Sequence, residues 1–225
     1  MKTSRTLLLV AAALAWFSEP VLAGSEPTTP STAAAPPAPG WQALLRPGDL
    51  IFHQSRSSQS EAIRLATGSR YTHMGLIVEQ EGGRLMVLEA IEPVSLTPVD
   101  RWVARGVEGH AVVKRLHDAD GVFTDEVLAR VGAEGHKLLG QHYDLYFGWS
   151  DDRIYCSELV YKAWKRGAGV EVGELARLGD FDLGHPAVKA KLAERYGGKV
   201  PLDEVVISPQ AMFESARLVT VVSVP

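Results

Sequence analysis

Apolar residues recur at helical spacing in four segments of the chain. The most regular pattern starts at Cys156, where apolar side chains follow at i+3, i+4, i+7 and i+8, so Cys156 opens the buried face of an amphipathic helix. A serine cap (Ser57 or Ser58), Glu61 near the third position and a stop at Gly68 delimit another helix. The predicted helices cover residues 58–67, 124–139, 156–165 and 186–196.

Short apolar runs bounded by turn residues predict strands. The runs 74–78 and 84–88 flank Glu81-Gly82-Gly83, a composition typical of a β-hairpin. Further strands are predicted at 49–52, 110–116 and 218–224. Strands dominate the first half and helices the second, without a repeating βαβ rhythm. The pattern therefore indicates an α+β domain built on an antiparallel sheet.

The N-terminal segment has the features of a secretory signal peptide. Lys2 and Arg5 precede the apolar run 7–17, which is short for a membrane-spanning helix, and small residues up to Ala23 match a signal-peptidase site. We expect cleavage there and export to the periplasm or beyond, the alternative being an uncleaved membrane anchor. Residues 24–40 consist almost entirely of Gly, Ser, Thr, Pro and Ala and are predicted to form a flexible linker. Residues 41–225 are then one domain.

Composition and charge narrow the classes of function. The 225 residues are 46% apolar and 22% charged, as in an ordinary globular protein with a core. The net charge of −4, or −5 after loss of residues 1–23, argues against a nucleic-acid partner. The basic stretch 189–199 is interpreted as a solvated helix face, so no stable membrane anchor is expected after signal cleavage. No metal-binding spacing or nucleotide-binding glycine loop occurs in the sequence, so neither a metal nor another cofactor is expected.

The only cysteine, Cys156, is the strongest candidate for chemistry. Unpaired backbone N–H groups and the helix dipole at the start of a helix favour the thiolate form. The same N–H groups can stabilise the oxyanion of a tetrahedral intermediate. The alternative is that Cys156 is a small buried packing residue, as many lone cysteines are.

A nucleophilic thiol needs a base, and His73 is the best placed histidine because it opens a strongly apolar strand that would hold its ring at a cleft. Gly75 leaves space on the same face. The acid that orients the ring is Glu89 or Glu92. A two-residue hairpin loop pairs His73 with Glu92, whereas the three-residue loop 81–83 places Glu89 on the His73 face. Glu89 is favoured because it interrupts a buried run, where an acid needs a partner.

Several motifs occur in a characteristic order: GDLIFHQSRSSQSEAIRLATGS, YTHMGLIV, VLEAIEPVSLTPVDRWVARG, YDLYFGWSDDRIYCSELVYKAW and PLDEVVISPQAMF. In this combination, over nearly all of residues 41–215, they resemble the exported YiiX-type members of the permuted NlpC/P60, papain-like hydrolases. The resemblance implies a papain-like α+β core and a triad of Cys156, His73 and Glu89. It is a permuted order, because His73 precedes Cys156 by 83 residues. Tyr155 and Tyr71 are further candidates for an oxyanion or substrate contact, although packing is the expected role of each.

Export and the resemblance together indicate a thiol hydrolase that cleaves an amide in the cell envelope. A short peptide of the cell wall is the expected substrate, because the chain shows no membrane-binding element. One alternative is an amide or ester hydrolase, or an acyltransferase, of the same fold that acts on acylated lipids. Another is a wall-binding module without turnover, which the intact Cys156, His73 and Glu89 set argues against.

Overall fold

A computed structural model describes residues 40–118, 121 and 123–225. The predicted signal peptide, and the predicted linker except Gly40, lie outside the described residues. The strands are β1 (Leu50–His53), β2 (His73–Gln80), β3 (Arg84–Glu89), β4 (Ser95–Pro98), β5 (Ala111–Leu116), β6 (His142–Tyr143), β7 (Arg153–Ile154), β8 (Ala176–Arg177), β9 (Val205–Val206) and β10 (Leu218–Val224). The α-helices are α1 (Ser58–Thr67), α2 (Val99–Ala104), α3 (Asp125–His136), α4 (Cys156–Ala168), α5 (Pro186–Tyr196) and α6 (Pro209–Phe213). Short 3₁₀ turns lie at Trp41–Leu44, Val107–Gly109 and Leu178–Asp180.

Six strands form one sheet in the order β10-β5-β1-β2-β3-β4, and every neighbouring pair is antiparallel. Two small pairs, β6 with β7 and β8 with β9, lie outside that sheet. The predicted α+β class with an antiparallel sheet is therefore confirmed. The central strands are apolar on both faces because each face of the sheet is covered.

The predicted helices form close to their predicted bounds, and the capping residues predicted for α1 act as the sequence indicates. The Ser57 hydroxyl accepts a hydrogen bond from the Ser60 amide at 3.1 Å, and Gly68 ends α1 with a left-handed φ of 69°. Helix α3 stops at His136, before the predicted end at residue 139. Helix α4 continues beyond the predicted residue 165 to Ala168.

Two hydrophobic clusters fill the space on either side of the sheet. One joins alternate residues of β1, β2 and β3, such as Phe52 and Leu76, to the buried face of α4, including Leu159. The other lies on the opposite face and packs Ile77 of β2 against Trp102 of α2. Among the described residues, no helix has the length and apolar character required to cross a bilayer. The sheet and α4 together fix the relative positions of the strand that begins at His73 and the helix that begins at Cys156.

Candidate active site

The β2–β3 hairpin brings Glu89 to His73. Its register pairs Leu76 with Leu88 and Gln80 with Arg84, so the turn has the three residues 81–83. Gly75 allows the strands to approach closely, because a Cβ atom there would stand 2.3 Å from Val87 Cγ1. Glu89 therefore lies on the His73 face of the hairpin.

The Glu89 carboxylate is fully buried and accepts four side-chain hydrogen bonds. His73 Nε2 lies 2.7 Å from Glu89 Oε2, and Trp102 Nε1 donates to the same oxygen at 2.9 Å. Thr97 Oγ1 donates to Oε1 at 2.5 Å, and the Arg105 guanidinium donates to it as well. Burial would raise the pKa of Glu89, but its hydrogen bonds with His73 and Thr97, together with the positive charges of His73 and Arg105, hold that pKa below the ordinary value. Glu89 is thus a buried anion, and both of its carboxylate oxygens are hydrogen-bonded.

The alternative acid, Glu92, occupies a different place. Its carboxylate bonds His142 Nδ1 at 2.6 Å and accepts from the Tyr143 amide at 2.9 Å. Its side chain is 58% exposed. These hydrogen bonds lower the pKa of Glu92. In the structure, Glu92 pairs with His142 and Glu89 pairs with His73.

Cys156 is the first residue of α4, and its thiol interacts with the His73 ring. Because Nε2 of His73 is held by Glu89, Nδ1 is the ring nitrogen left for the thiol. Burial alone would raise the pKa of Cys156, but His73 and the backbone N–H groups of Met74 and Ser157 bring it below the ordinary value. Burial would lower the pKa of His73, yet its bonds to Cys156 and Glu89 raise it to about 9. The favoured state is a thiolate–imidazolium pair.

The start of α4 is fixed by contacts to a distant segment. Tyr155, the capping residue, accepts a hydrogen bond at its hydroxyl from the Ile207 amide at 3.0 Å. The Ser157 hydroxyl donates to the Ile207 carbonyl at 2.7 Å. These two bonds flank Cys156 in sequence and hold its position. Tyr155 is only 2% exposed and its hydroxyl has this backbone partner.

Tyr71, the second tyrosine named from the sequence, packs against aromatic rings. Its ring stacks on Phe213 with centroids 3.8 Å apart and meets Phe52 edge-on at 6.3 Å. The described contacts of Tyr71 are therefore packing contacts.

Tyr143 is a candidate that the sequence analysis missed. It lines the same cleft as His73, and its hydroxyl accepts a hydrogen bond from Gln59 Nε2 at 2.9 Å. Gln59 in turn accepts from Arg195 Nη2 at 2.9 Å. Burial raises the pKa of Tyr143 well above its ordinary value, and the nearby Cys156 raises it further. Because the oxygen of the neutral Tyr143 phenol accepts the hydrogen bond from Gln59, the Tyr143 proton is available for another acceptor.

Two cavities meet beside Cys156 and His73. The apolar cavity, about 100 Å³, lies between α1, α5 and the start of α4 and is lined by Cys156 together with Ala62, Ile63, Ala66, Val188 and Leu192. The polar cleft, about 290 Å³, is lined by His73 and Tyr143 together with Ser55, Ser60 and Thr72. Gln59 and Ile63 line both spaces.

Helix α5 differs from the solvated helix face predicted for residues 189–199. Val188, Lys191, Leu192 and Arg195 recur at helical spacing, and all of them line the apolar cavity. This face was not recognised in the sequence, because two of its four residues, Lys191 and Arg195, are cations. Their aliphatic stems cover apolar surface. Only the opposite face of α5 is solvated.

Comparisons with known proteins place the chain in a family. Residues 44–222 match the family described as permuted papain-like amidase enzymes, YaeF/YiiX, C92 family. The uncharacterized protein YiiX of Escherichia coli strain K12 is 46% identical over 185 residues, covering 82% of this chain and 89% of the relative. A crystal structure described as that of the metalloprotein YiiX from Escherichia coli O157:H7 matches with a TM-score of 0.74 and 46% identity, over 79% of this chain and 96% of that one.

That related crystal structure is described as one of a metalloprotein, so the possible metal ligands of this chain are relevant. Within residues 40–118, 121 and 123–225, no group of three or more His, Cys, Asp or Glu side chains is arranged to hold a metal ion. The described donor set therefore does not fit a resident metal. By its sequence match, its fold and its similarity to YiiX, the chain belongs to the permuted papain-like amidase family of YaeF and YiiX, whose members are cysteine hydrolases.

Proposed function

We propose that this chain hydrolyses an amide bond in a molecule of the cell envelope, with Cys156 as nucleophile, His73 as acid and base, and Glu89 as the residue that orients His73. The observation that carries the proposal is the series formed by the Cys156 thiol, the His73 imidazole that interacts with it and the buried Glu89 carboxylate that is hydrogen-bonded to His73. Cys156 lines one cavity and His73 lines another. A thiol needs an adjacent base and an oriented imidazole to act as a nucleophile, and this series supplies both.

In the first half of the proposed reaction, the Cys156 thiolate attacks the carbonyl carbon of the amide. The carbon–nitrogen bond breaks as His73 gives its proton to the leaving amine, and a thioester to Cys156 remains. In the second half, neutral His73 takes a proton from water, whose oxygen attacks the thioester carbon, and the carbon–sulfur bond breaks so that Cys156 leaves as the thiolate. The products are the free acid and the Cys156–His73 pair in its starting state.

Two groups are positioned to stabilise the oxyanion in this proposal. The backbone N–H of Cys156 is in the first turn of α4, where N–H groups have no acceptor within the helix. The Tyr143 hydroxyl keeps its proton free, because Gln59 donates to its oxygen. Tyr143 takes the place that the sequence analysis considered for Tyr155 and Tyr71, whose described contacts are to Ile207 and to aromatic rings.

Location in the envelope is supported by the sequence of residues 1–23, and the amide is supported by the description of the family. The wall-binding module without turnover is disfavoured, because a thiol and imidazole used only for packing need no buried anion behind them. Between a wall peptide and an acylated amine, the lining of the apolar cavity favours the acylated amine, because the lining hydroxyls of Ser157, Thr67 and Ser208 already have backbone partners and a peptide there would bury unpaired N–H and C=O groups.

The test is turnover of a panel of amides by wild type and the Cys156→Ala variant. The panel contains muropeptides, N-acyl amines and the corresponding acyl esters, with products identified by mass spectrometry. We expect wild type to hydrolyse an amide and Cys156→Ala to lose about 10⁴-fold or more of that rate. Thermal unfolding of both proteins checks that the variant is folded. Turnover of the same amide by folded Cys156→Ala at the wild-type rate would refute the proposal.

A further inference from the structure

We infer that Arg195 and Gln59 are positioning residues that keep the proton of Tyr143 available for the oxyanion. Arg195, on α5, fixes the orientation of the Gln59 amide, and that amide determines whether the Tyr143 hydroxyl accepts or donates. We call these three residues the tyrosine relay. This inference rests on the proposed function, in which Tyr143 is one of two oxyanion donors, and it adds two residues that act through Tyr143.

The direction of the hydrogen bonds in the tyrosine relay follows from the chemistry of arginine. A guanidinium carries only donors, so the Gln59 atom that lies 2.9 Å from Arg195 Nη2 has to be the carbonyl oxygen Oε1. The end of the amide left for Tyr143 is then the NH₂ group, whose Nε2 lies 2.9 Å from the Tyr143 hydroxyl. The hydroxyl oxygen accepts this bond, and its proton is directed elsewhere.

Loss of Arg195 would remove the group that selects this orientation of the Gln59 amide. Rotation about the last side-chain bond exchanges Oε1 with Nε2, and a carbonyl oxygen then faces Tyr143. A phenol donates to a carbonyl oxygen, so the Tyr143 proton would be held by Gln59 in the resting enzyme. That bond would have to break before the oxyanion received the proton, which slows the step that forms the oxyanion.

The half-buried Arg195 side chain also contacts an aromatic ring. Its guanidinium carbon lies 5.3 Å from the centroid of the Phe147 ring, within the range of a cation–π contact. Burial raises the pKa of Tyr143, and both the hydrogen bond from Gln59 and the positive charge of Arg195 oppose that rise. These two effects make the Tyr143 hydroxyl a stronger donor to an anion.

A structural role for Arg195 is the alternative. Arg195 lies in the last turn of α5, where a cation stabilises the helix dipole, and it lines the apolar cavity. Such a role predicts that loss of Arg195 lowers activity by the same factor with or without the Tyr143 hydroxyl. The tyrosine relay predicts that the loss depends on that hydroxyl. A double-mutant cycle distinguishes the two roles.

The first experiment is that cycle, with kcat measured on the best amide of the panel. Tyr143→Phe should lower kcat about 10²-fold, as loss of an oxyanion donor does. Arg195→Met should lower kcat about tenfold in the wild-type background but less than about twofold in the Tyr143→Phe background. Lys189→Met, the matched control, removes a cation from the exposed face of α5 and should leave kcat within about twofold. Equal losses from Arg195→Met in both backgrounds would overturn the inference.

The second experiment changes the middle of the tyrosine relay. Gln59→Glu keeps an acceptor for Arg195 but presents a carboxylate oxygen to Tyr143 in place of the NH₂ group. The carboxylate then holds the Tyr143 proton, so kcat should fall about 10²-fold, as in Tyr143→Phe, with little further loss when the two are combined. Gln42→Glu adds the same charge at an exposed position and should leave kcat within about twofold. Losses that multiply in the Gln59→Glu and Tyr143→Phe double variant would contradict the inference.

Alkylation by iodoacetamide tests whether the substitutions disturb the nucleophile itself. The Cys156 thiolate displaces iodide and forms a carbon–sulfur bond in one step, in which no oxyanion develops. The rate constant is taken at high pH, where the thiol is ionised in every variant. Folded Arg195→Met and Gln59→Glu should keep it within about twofold of wild type while hydrolysis is slowed. Equal falls in alkylation and hydrolysis would place the effect at Cys156 and reject the inference.

Raman spectroscopy tests the tyrosine relay without turnover. The intensity ratio of the tyrosine Fermi doublet is high for a phenol that accepts a strong hydrogen bond and low for one that donates a strong hydrogen bond. Subtracting the spectrum of Tyr143→Phe in each background isolates the doublet of Tyr143. We expect a high ratio in the wild type and lower ratios in Arg195→Met and Gln59→Glu, with circular dichroism confirming that each variant is folded. The same ratio in all three proteins would overturn the inference.

These measurements separate the tyrosine relay from the proposed function. Amide turnover that depends on Cys156 but shows no coupling between Arg195 and Tyr143 keeps the proposed function and rejects the relay. Amide turnover that survives Cys156→Ala rejects the proposed function, while the Raman ratios still decide whether Arg195 and Gln59 direct the Tyr143 proton.

Discussion

At the residue scale, the buried charge of Glu89 determines how the candidate site works. A carboxylate taken out of water is costly unless charged or hydrogen-bonded partners replace its solvation. Glu89, with no exposed surface, obtains those partners from His73, Thr97, Trp102 and Arg105. Thr97, Trp102 and Arg105 hold the carboxylate where it meets the imidazole. Its negative charge raises the pKa of His73 and favours the protonated form.

The first residue-scale prediction compares Glu89→Gln with Glu92→Gln. The neutral amide at position 89 cannot stabilise an imidazolium, so kcat should fall about 10³-fold or more. Loss of the anion also lowers the pKa of His73. Since His73 must be protonated to release the amine, the alkaline limb of the rate profile should move from about 9 toward lower pH.

Glu92→Gln is the matched control, because the same change is made in a carboxylate that pairs with His142 at the surface. Its rate should stay within about twofold of wild type, with an unchanged alkaline limb. The measurement is kcat and kcat/KM against pH on the best amide of the panel. If Glu92→Gln shifted the alkaline limb and Glu89→Gln did not, Glu89 would not be the orienting acid.

The limits of sequence reasoning at this scale follow from where the donors come from. Cys156 and His73 were identified because each opens a regular element, a position that the local pattern reveals. One donor, Thr97, lies in β4, another, Trp102, lies in α2, and Arg105 follows α2. Nothing in the local sequence of these segments indicates that the three residues share a partner. The choice of Glu89 over Glu92 depended on the length of the turn between β2 and β3. The sequence left that length open, because both strands are apolar on both faces.

At the scale of elements, the β2–β3 hairpin and α4 carry the three residues of the proposed triad, and both elements follow strong local patterns. The long elements were predictable because many residues repeat the same alternation or helical spacing. Strand β4 and helix α2 were missed, since each has six or fewer residues and Ser95–Pro98 is half-buried throughout. Short elements take their conformation from neighbours that the sequence window does not include.

An element-scale prediction tests the close approach of β2 and β3. In Gly75→Ala, the new Cβ would stand 2.3 Å from Val87 Cγ1 and 3.0 Å from the Leu88 carbonyl. The strands must separate, so we expect a loss of about 1–3 kcal/mol in the free energy of unfolding. Since Glu89 follows Leu88, activity should fall as well. Urea denaturation and turnover measure the two effects.

Gly132→Ala, in helix α3, is the matched control for that prediction. The nearest side-chain atom to its new Cβ is Val78 Cγ1 at 3.9 Å, an ordinary contact. Alanine restricts the unfolded chain more than glycine does and favours the helix, so stability should rise by up to about 1 kcal/mol with unchanged activity. Equal effects of the two substitutions would show that the strand spacing at Gly75 is not limiting.

At the scale of the whole molecule, the apolar cavity joins parts of the chain that lie far apart in sequence. Its walls come from α1, the start of α4, α5 and residues 206–209. Five side chains come from α1, four from α5 and four from residues 206–209, and no single stretch has the composition of a binding site. The cavity was therefore beyond sequence reasoning, although the helices α1, α4 and α5, which form most of its wall, were predicted.

The last prediction concerns the compartment in which the molecule works. Residues 1–23 carry the charge, apolar run and small residues of a signal peptide, so the full chain expressed in a bacterium should be recovered from the periplasm or medium with Gly24 as its first residue. Ala23→Arg should block cleavage, because signal peptidase accepts small residues at that position. Ala33→Arg, in the predicted linker, is the matched control and should be processed normally. Intact mass after cell fractionation distinguishes the outcomes. Recovery of the uncleaved wild-type chain from the cytoplasm would reject export and with it an envelope substrate, whereas the amidase chemistry at Cys156 would remain to be judged by turnover.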